Sequence, residues 1–232
     1  MADGVAVVVG AGPGLGAALA RRFAAGGLAV AVARRRAEDL TELAEEIGGR
    51  AYACDATERA QVDALFADVV RDLGTPSLVS FNAGVYLRGG VLDISPEDFE
   101  TCWRVGCLGG FNIGQAAARL MVEADGGTIL MTGATAALRG GAGFANLAVP
   151  KFGLRALAQS MARELGPKGV HVAHLIIDGQ IESDRPGYSA AERGEDTLLK
   201  PAAIAEAAWF LHSQPKSAWT QELDLRPYVE KW

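Results

Sequence analysis

The sequence predicts a single α/β domain: a Rossmann-type, doubly wound parallel sheet with helices on both faces. Three observations predict it. Short runs rich in valine and isoleucine alternate with helical patterns along the whole chain, the order expected of βαβ units. A glycine-rich turn, "GAGPGLG", joins the first of these runs to the first helical pattern. The 232 residues suit one α/β domain better than two, and half of them are hydrophobic, enough for a sheet covered on both sides.

The elements follow in order. "GVAVVVG" reads as a buried strand bounded by glycine, and "LGAALARRFAAGG" as a helix with Leu15, Leu19, Ala20 and Phe23 at helical spacing. "LAVAVA" is a second buried strand, and "AEDLTELAEEIGG" a helix stopped by glycine. "AYACD" is a short third strand, followed by a helix from Thr57 to Leu73; "SLVSFN" is a fourth strand. The pattern then predicts a long helix over Pro96 to Met121, a strand in "GTILMTG" and a helix over Phe144 to Leu165. "VHVAHLII" is a sixth strand and "PAAIAEAAWFLHS" the last clear helix. Right-handed crossovers make such a sheet doubly wound. No repeat, linker or low-complexity tract divides residues 1–232. The irregular polar stretch from Gly179 to Lys200 is long for a compact domain and reads as an active-site lid.

Composition excludes several functions. A net charge of -6 is the opposite of a nucleic-acid footprint. Cys54, Cys102 and Cys107 are odd in number and form no CxxC pair, so a disulfide framework is not expected and a reducing, cytoplasmic setting is. No apolar run reaches the roughly 18 residues of a membrane span, and the first residues lack the basic start and cleavage site of a signal peptide. His171 and His174 lie three apart on a strand and face opposite sides, while His212 sits at a helix end, so no metal site is expected. Cys102 and Cys107, in the long helix, read as packing.

The glycine-rich turn carries the first chemistry. Gly10, Gly12, Pro13, Gly14, Leu15 and Gly16 span the joint between the first strand and the first helix. Glycines there let backbone approach a pyrophosphate, whose charge sits on the helix N-terminus. The spacing is GxxxGxG rather than GxGxxG, but the strand before and the helix after are those the motif requires. At the end of the second strand, an acid would bond a ribose 2′-hydroxyl and arginine would accept a 2′-phosphate. The chain has Arg34 and Arg35 there, which favours NADP(H) over NAD(H).

With "GAGPGLG", "CDAT" after the third strand, "FNAG" ending the fourth, Lys151 in the later helix and "DGQIES" after the sixth strand, the chain resembles the short-chain dehydrogenase/reductase family over nearly its whole length. The resemblance implies that Asp55 meets the adenine amine with Ala56 beside it in the cofactor site, that Asn82, Ala83 and Gly84 line the adenosine ribose, and that Ile181 meets the nicotinamide carboxamide. It implies that Lys151 binds the nicotinamide ribose and acts on a small-molecule substrate through a tyrosine four residues earlier. That position holds Leu147, which has no proton to give. The family's substrate-holding serine is replaced by Ala134, with Thr135 beside it, and the asparagine of the long helix by Gly106. The residues expected to hold the cofactor are therefore present, and most of those expected to move a proton are not.

Three readings stay open: an oxidoreductase whose proton comes from Tyr86, Asp178 or Thr135, or whose substrate needs none; an NADP(H)-binding sensor without turnover; and a structural subunit. Catalytic candidates are Lys151, Thr135 and Tyr86. Pro150 suggests that its helix begins near Leu147, since proline is tolerated in a first turn. The resemblance also implies a homodimer or homotetramer, with the apolar helix "GLRALAQSMARELG" available to pack an interface; the tail aromatics Trp219, Tyr228 and Trp232 read as sealing either an interface or the substrate mouth, the interface being the simpler reading.

Overall fold

The computed structural model describes residues 4–231; Trp232 lies outside them. Seven parallel strands form one sheet in the order β3-β2-β1-β4-β5-β6-β7. They are β1 (Val5–Val9), β2 (Ala29–Arg34), β3 (Arg50–Ala53), β4 (Pro76–Phe81), β5 (Gly127–Thr132), β6 (Val170–Ile177) and β7 (Glu222–Leu225). The helices are α1 (Leu15–Ala25), α2 (Thr41–Glu46), α3 (Arg59–Asp72), α4 (Pro96–Trp103), α5 (Gly109–Glu123), α6 (Ala145–Leu165), α7 (Ala190–Arg193) and α8 (Pro201–His212).

The β-branched runs bury both faces of each central strand, so the core divides into two layers. On one side Val7, Val9, Phe81, Met131 and Val172 pack under α3, α5 and α6 through Phe66, Ile113 and Leu154. On the other, Val8, Val32, Leu130 and Leu175 pack under α1 and α8 through Leu19, Phe23, Ile204 and Leu211. The order of the strands reverses between β1 and β4, and that switch point opens a crevice at their carboxyl ends. Among the described residues no helix is long and apolar enough to cross a membrane.

The structure differs from the sequence expectation in four places. The long helix is interrupted: α4 ends at Trp103, Arg104–Leu108 forms a π-turn, and α5 begins at Gly109. α6 begins at Ala145, so Pro150 lies inside the helix rather than in its first turn. A neighbour accommodates it: a Cβ on Gly106, in the π-turn, would come 2.9 Å from Pro150 Cβ, so the two residues fit only as a pair. Residues 37–46 make a 3₁₀ turn before α2 rather than one helix. The seventh strand, β7, was not anticipated.

Candidate active site

The crevice at the switch point is a cleft of about 260 Å³. Its floor is the end of β1 and the turn after it. Gly10 and Ala11 both donate to Ala33 O, at 2.9 and 3.2 Å, which folds the chain back across the end of β2. Asn82 locks the other side, donating its backbone N–H to Val9 O (2.8 Å) and its side-chain amide to Gly10 O (3.2 Å). α1 then starts at Leu15 without a side-chain cap; Ala17 N donates back to Gly12 O (2.9 Å), so an anion would meet the N–H groups that precede it.

One wall is Arg34 and Arg35; the other is Cys54, Asp55, Ala56 and Thr57, with Asn82, Ala83, Gly84 and Val85 closing the far side. Asp55 is held open toward the cleft because Oδ1 accepts from Thr57 N (2.9 Å) and Thr57 Oγ1 (2.8 Å). Arg34 is paired with Asp39 at 3.2 Å, and Arg36 shares the same carboxylate. Arg35 is exposed and, among the described residues, has no carboxylate within 4.0 Å.

Beyond Gly84, toward the ends of β5, β6 and β7, lies a second polar group. Lys151 is buried in α6 and donates to Thr132 O at 2.6 Å. Burial lowers its pKa to about 8. A Cβ on Gly84 would lie 3.9 Å from its Nζ, which sets the ammonium at the inner end of the cleft's far wall. Leu147, one turn earlier on α6, is half-buried. Thr135 Oγ1 donates to Asp178 Oδ1 at 2.5 Å, and Asp178, 4% exposed, receives Arg226 Nη2 on its other oxygen at 3.2 Å. Tyr86 stacks on Phe144, the residue before α6, with ring centroids 5.5 Å apart, and stays nearly half exposed. Ile181 forms a bridge with Leu199 that ties together the two ends of the 179–200 stretch.

His171 and His174, three apart on β6, point to opposite faces of the sheet. His171 stacks on Trp219 at 4.9 Å, which turns that tail aromatic inward, and His212 Nδ1 lies 3.0 Å from Thr128 Oγ1. His174 is fully buried beneath α6. Its cross-strand partner in β7 is Glu222, whose Oε2 lies 3.2 Å from His174 Nδ1. Arg155, one turn after Lys151 on α6, grips the same carboxylate with two bonds of 2.7 Å. The Arg155 bond is the main cause holding Glu222 below the usual carboxylate range, while burial holds His174 down at about 4.

That burial has a consequence for acid stability. An unfolded chain takes a proton on histidine below about 6.5, whereas folded His174 refuses it until about 4. Stability present at neutral pH is therefore lost as pH falls through that window, by up to about 3 kcal/mol from this residue. Urea midpoints at pH 7.5, 5.5 and 4.5 should fall steadily, and less so in His174→Gln; identical slopes in the two proteins would contradict this account.

Comparison with known proteins accords with this geometry. A family model described as short chain dehydrogenase matches residues 4–190. The chain belongs to the short-chain dehydrogenase family. A crystal structure of a short-chain dehydrogenase from Rhodopseudomonas palustris is 43% identical, with a TM-score of 0.82 over 97% of this chain and 98% of that one. A metagenomic short-chain oxidoreductase, solved in complex with NADP, is 28% identical with a TM-score of 0.84 over 99% of each chain. A cyclic-di-GMP-binding biofilm dispersal mediator protein of Escherichia coli (strain K12) is 32% identical over 90% of this chain and 84% of its own.

As a short-chain dehydrogenase the chain has a nicotinamide-nucleotide fold, and the cleft gathers most of the residues singled out in the sequence. Gly10, Gly12, Pro13, Arg34, Arg35, Asp55, Ala56, Asn82, Ala83 and Gly84 all line it. Leu15 and Gly16 are buried at the helix start behind the lining, and Gly14 caps α1. Lys151, Thr135, Tyr86 and Ile181 stand beyond the cleft, toward the ends of β5 and β6. Sequence reasoning missed Val85 and Val105 on the cleft wall, Arg226 against Asp178, and the Arg155–Glu222–His174 chain. Only the helical spacing of Lys151 and Arg155 hinted at the last.

Proposed function

We propose that the chain is an atypical short-chain oxidoreductase that holds NADP(H) in this cleft and exchanges hydride with a small-molecule substrate without a tyrosine at position 147. The observation that carries the cofactor choice is Arg35. Arg34 shares the single carboxylate of Asp39 with Arg36, and Arg35 has none within 4.0 Å among the described residues, so uncompensated positive charge remains on the cleft wall of a protein whose net charge is -6. That is the place where a 2′-phosphate is accommodated in this fold. The NADP held by the metagenomic neighbour supports the same choice.

In this reading the Gly10–Gly16 turn and the start of α1 hold the pyrophosphate, Asp55 and Ala56 the adenine, and Asn82, Ala83 and Gly84 the ribose. Lys151 and Ile181 serve the nicotinamide side. The bound cofactor supplies the hydride. The chain supplies orientation through Lys151 and a hydroxyl at Thr135, oriented by Asp178, with Tyr86 on the rim. Residues 179–200 act as a lid over the substrate, and the protein works as a homodimer or homotetramer.

Calorimetric titration with NADPH and NADH tests the cofactor. Arg35→Asp should weaken NADPH binding by about 10–100-fold, the worth of one charged hydrogen bond, and leave NADH unchanged. An equal loss for both nucleotides would remove the 2′-phosphate assignment. A second reading, binding without turnover, is favoured by Leu147 itself. Hydride consumption over a panel of carbonyl and imine substrates separates the two: turnover establishes the oxidoreductase, and tight NADPH binding with a silent panel favours the binder.

A further inference from the structure

The charged groups under α6 have no part in the scheme above, yet they reach the same peptide unit as Lys151. Val170, Val172 and His174 alternate along β6 on the face that packs against α6. Lys151 and Arg155 are one helical turn apart on α6, so both point down at that face. The lysine ends on Thr132 O. The next residue, Gly133, has His174 where a side chain would be, since a Cβ there would lie 2.2 Å from His174 Nε2. Nζ and Nε2 therefore flank the single peptide between Thr132 and Gly133.

The protonation of the imidazole follows from its partner. The Glu222 carboxylate, doubly held by Arg155, can only accept, so Nδ1 carries the hydrogen and Nε2 presents a lone pair. That nitrogen is buried and has no hydrogen-bond partner among the described residues. The ionisable groups facing His174 are Lys151 and Arg155 from α6 and Glu222 from β7; β5 contributes Met131 and Thr132, and Gly133 follows it, none of them charged.

We propose that His174 is a positioning residue for Lys151, the two nitrogens forming one titrating pair that carries a single positive charge. The coupling runs through space across that peptide, with the charge on Nζ, because Nε2 has no hydrogen-bond partner to hand it a proton. The consequence for turnover rests on Lys151 serving the nicotinamide side, as read above; the pairing itself does not.

The test is ring ¹⁵N and ¹³C NMR of the nucleotide-free protein, tractable because the chain has three histidines. In the unmodified protein, raising the pH from 7 to 9.5 should move the His174 Nε2 resonance as Lys151 loses its proton, although the ring is already neutral. In Lys151→Met, the His174 titration should move up, because a like charge nearby is gone, while burial still holds it below the free value; in Lys151→Arg it should stay low. A His174 resonance that is flat between pH 7 and 9.5, or a titration identical in Lys151→Met, overturns the pairing. Neither readout requires NADPH, so failure of the cofactor assignment would show separately, in the calorimetry.

Discussion

Gly10→Ala should cost about 2–5 kcal/mol of stability and abolish nucleotide binding, even though it adds one methyl group. Gly10 has φ +85°, which costs a residue with a side chain roughly 1–2 kcal/mol. Its added Cβ would stand 2.5 Å from Ala83 N and 2.7 Å from Asn82 C, both backbone atoms of the strand-end turn that Asn82 locks. Backbone there cannot swing aside like a flexible side chain, so overpacking of about 1–3 kcal/mol adds to the dihedral cost. Gly12→Ala is the control. A Cβ there meets nothing within 4 Å, but the residue lines the cleft. It should leave the denaturation midpoint unchanged and weaken nucleotide binding alone. Urea denaturation and calorimetry of both variants separate the glycine that shapes the turn from the one that admits the ligand. A Gly10→Ala protein as stable as the parent would mean that the turn can relax, and the argument from close approach would fall.

The same contrast explains what the sequence could and could not disclose. β1, β2, β4, β5 and β6 were legible because each is largely buried on both faces and built around an apolar core of consecutive residues. β7 was not: "ELDL" is four residues long, polar at alternate positions and at the edge of the sheet, and it exists because Leu223 and Leu225 register against Leu175 and Ile177. The nucleotide cleft was legible because its parts are local, each within a few residues of a strand end. Thr135 with Asp178 and His174 with Glu222 were not, because they meet across 43 and 48 residues and depend on which strands are neighbours. Pro150 was misplaced for a related reason. Local rules put proline in a first turn, and the space that Gly106 leaves for it comes from a helix some 40 residues away.

Lys151→Met should make the protein more stable at pH 7, by about 1–2 kcal/mol, while removing the group assigned to the nicotinamide side. The lysine is buried, its pKa is lowered to about 8 by desolvation, and among the described residues no carboxylate lies within 4.0 Å of it. The unfolded chain holds this proton up to about 10.5, so between about 8 and 10.5 the unfolded state binds more protons and stability rises with pH. Below that window the charged form is kept in the fold at a penalty of about 3 kcal/mol. Methionine fills similar volume without charge and escapes the penalty. It leaves Thr132 O without its donor, which takes back about 1–2 kcal/mol. The gain should shrink as pH is raised from 7 to 10, and that slope distinguishes a buried charge from a simple packing change. A lysine kept only for structure would destabilise the protein on removal at every pH, and that result would deny Lys151 a functional role. A stabilised variant that binds NADPH more weakly would instead mark position 151 as one where the fold carries a cost that its function explains.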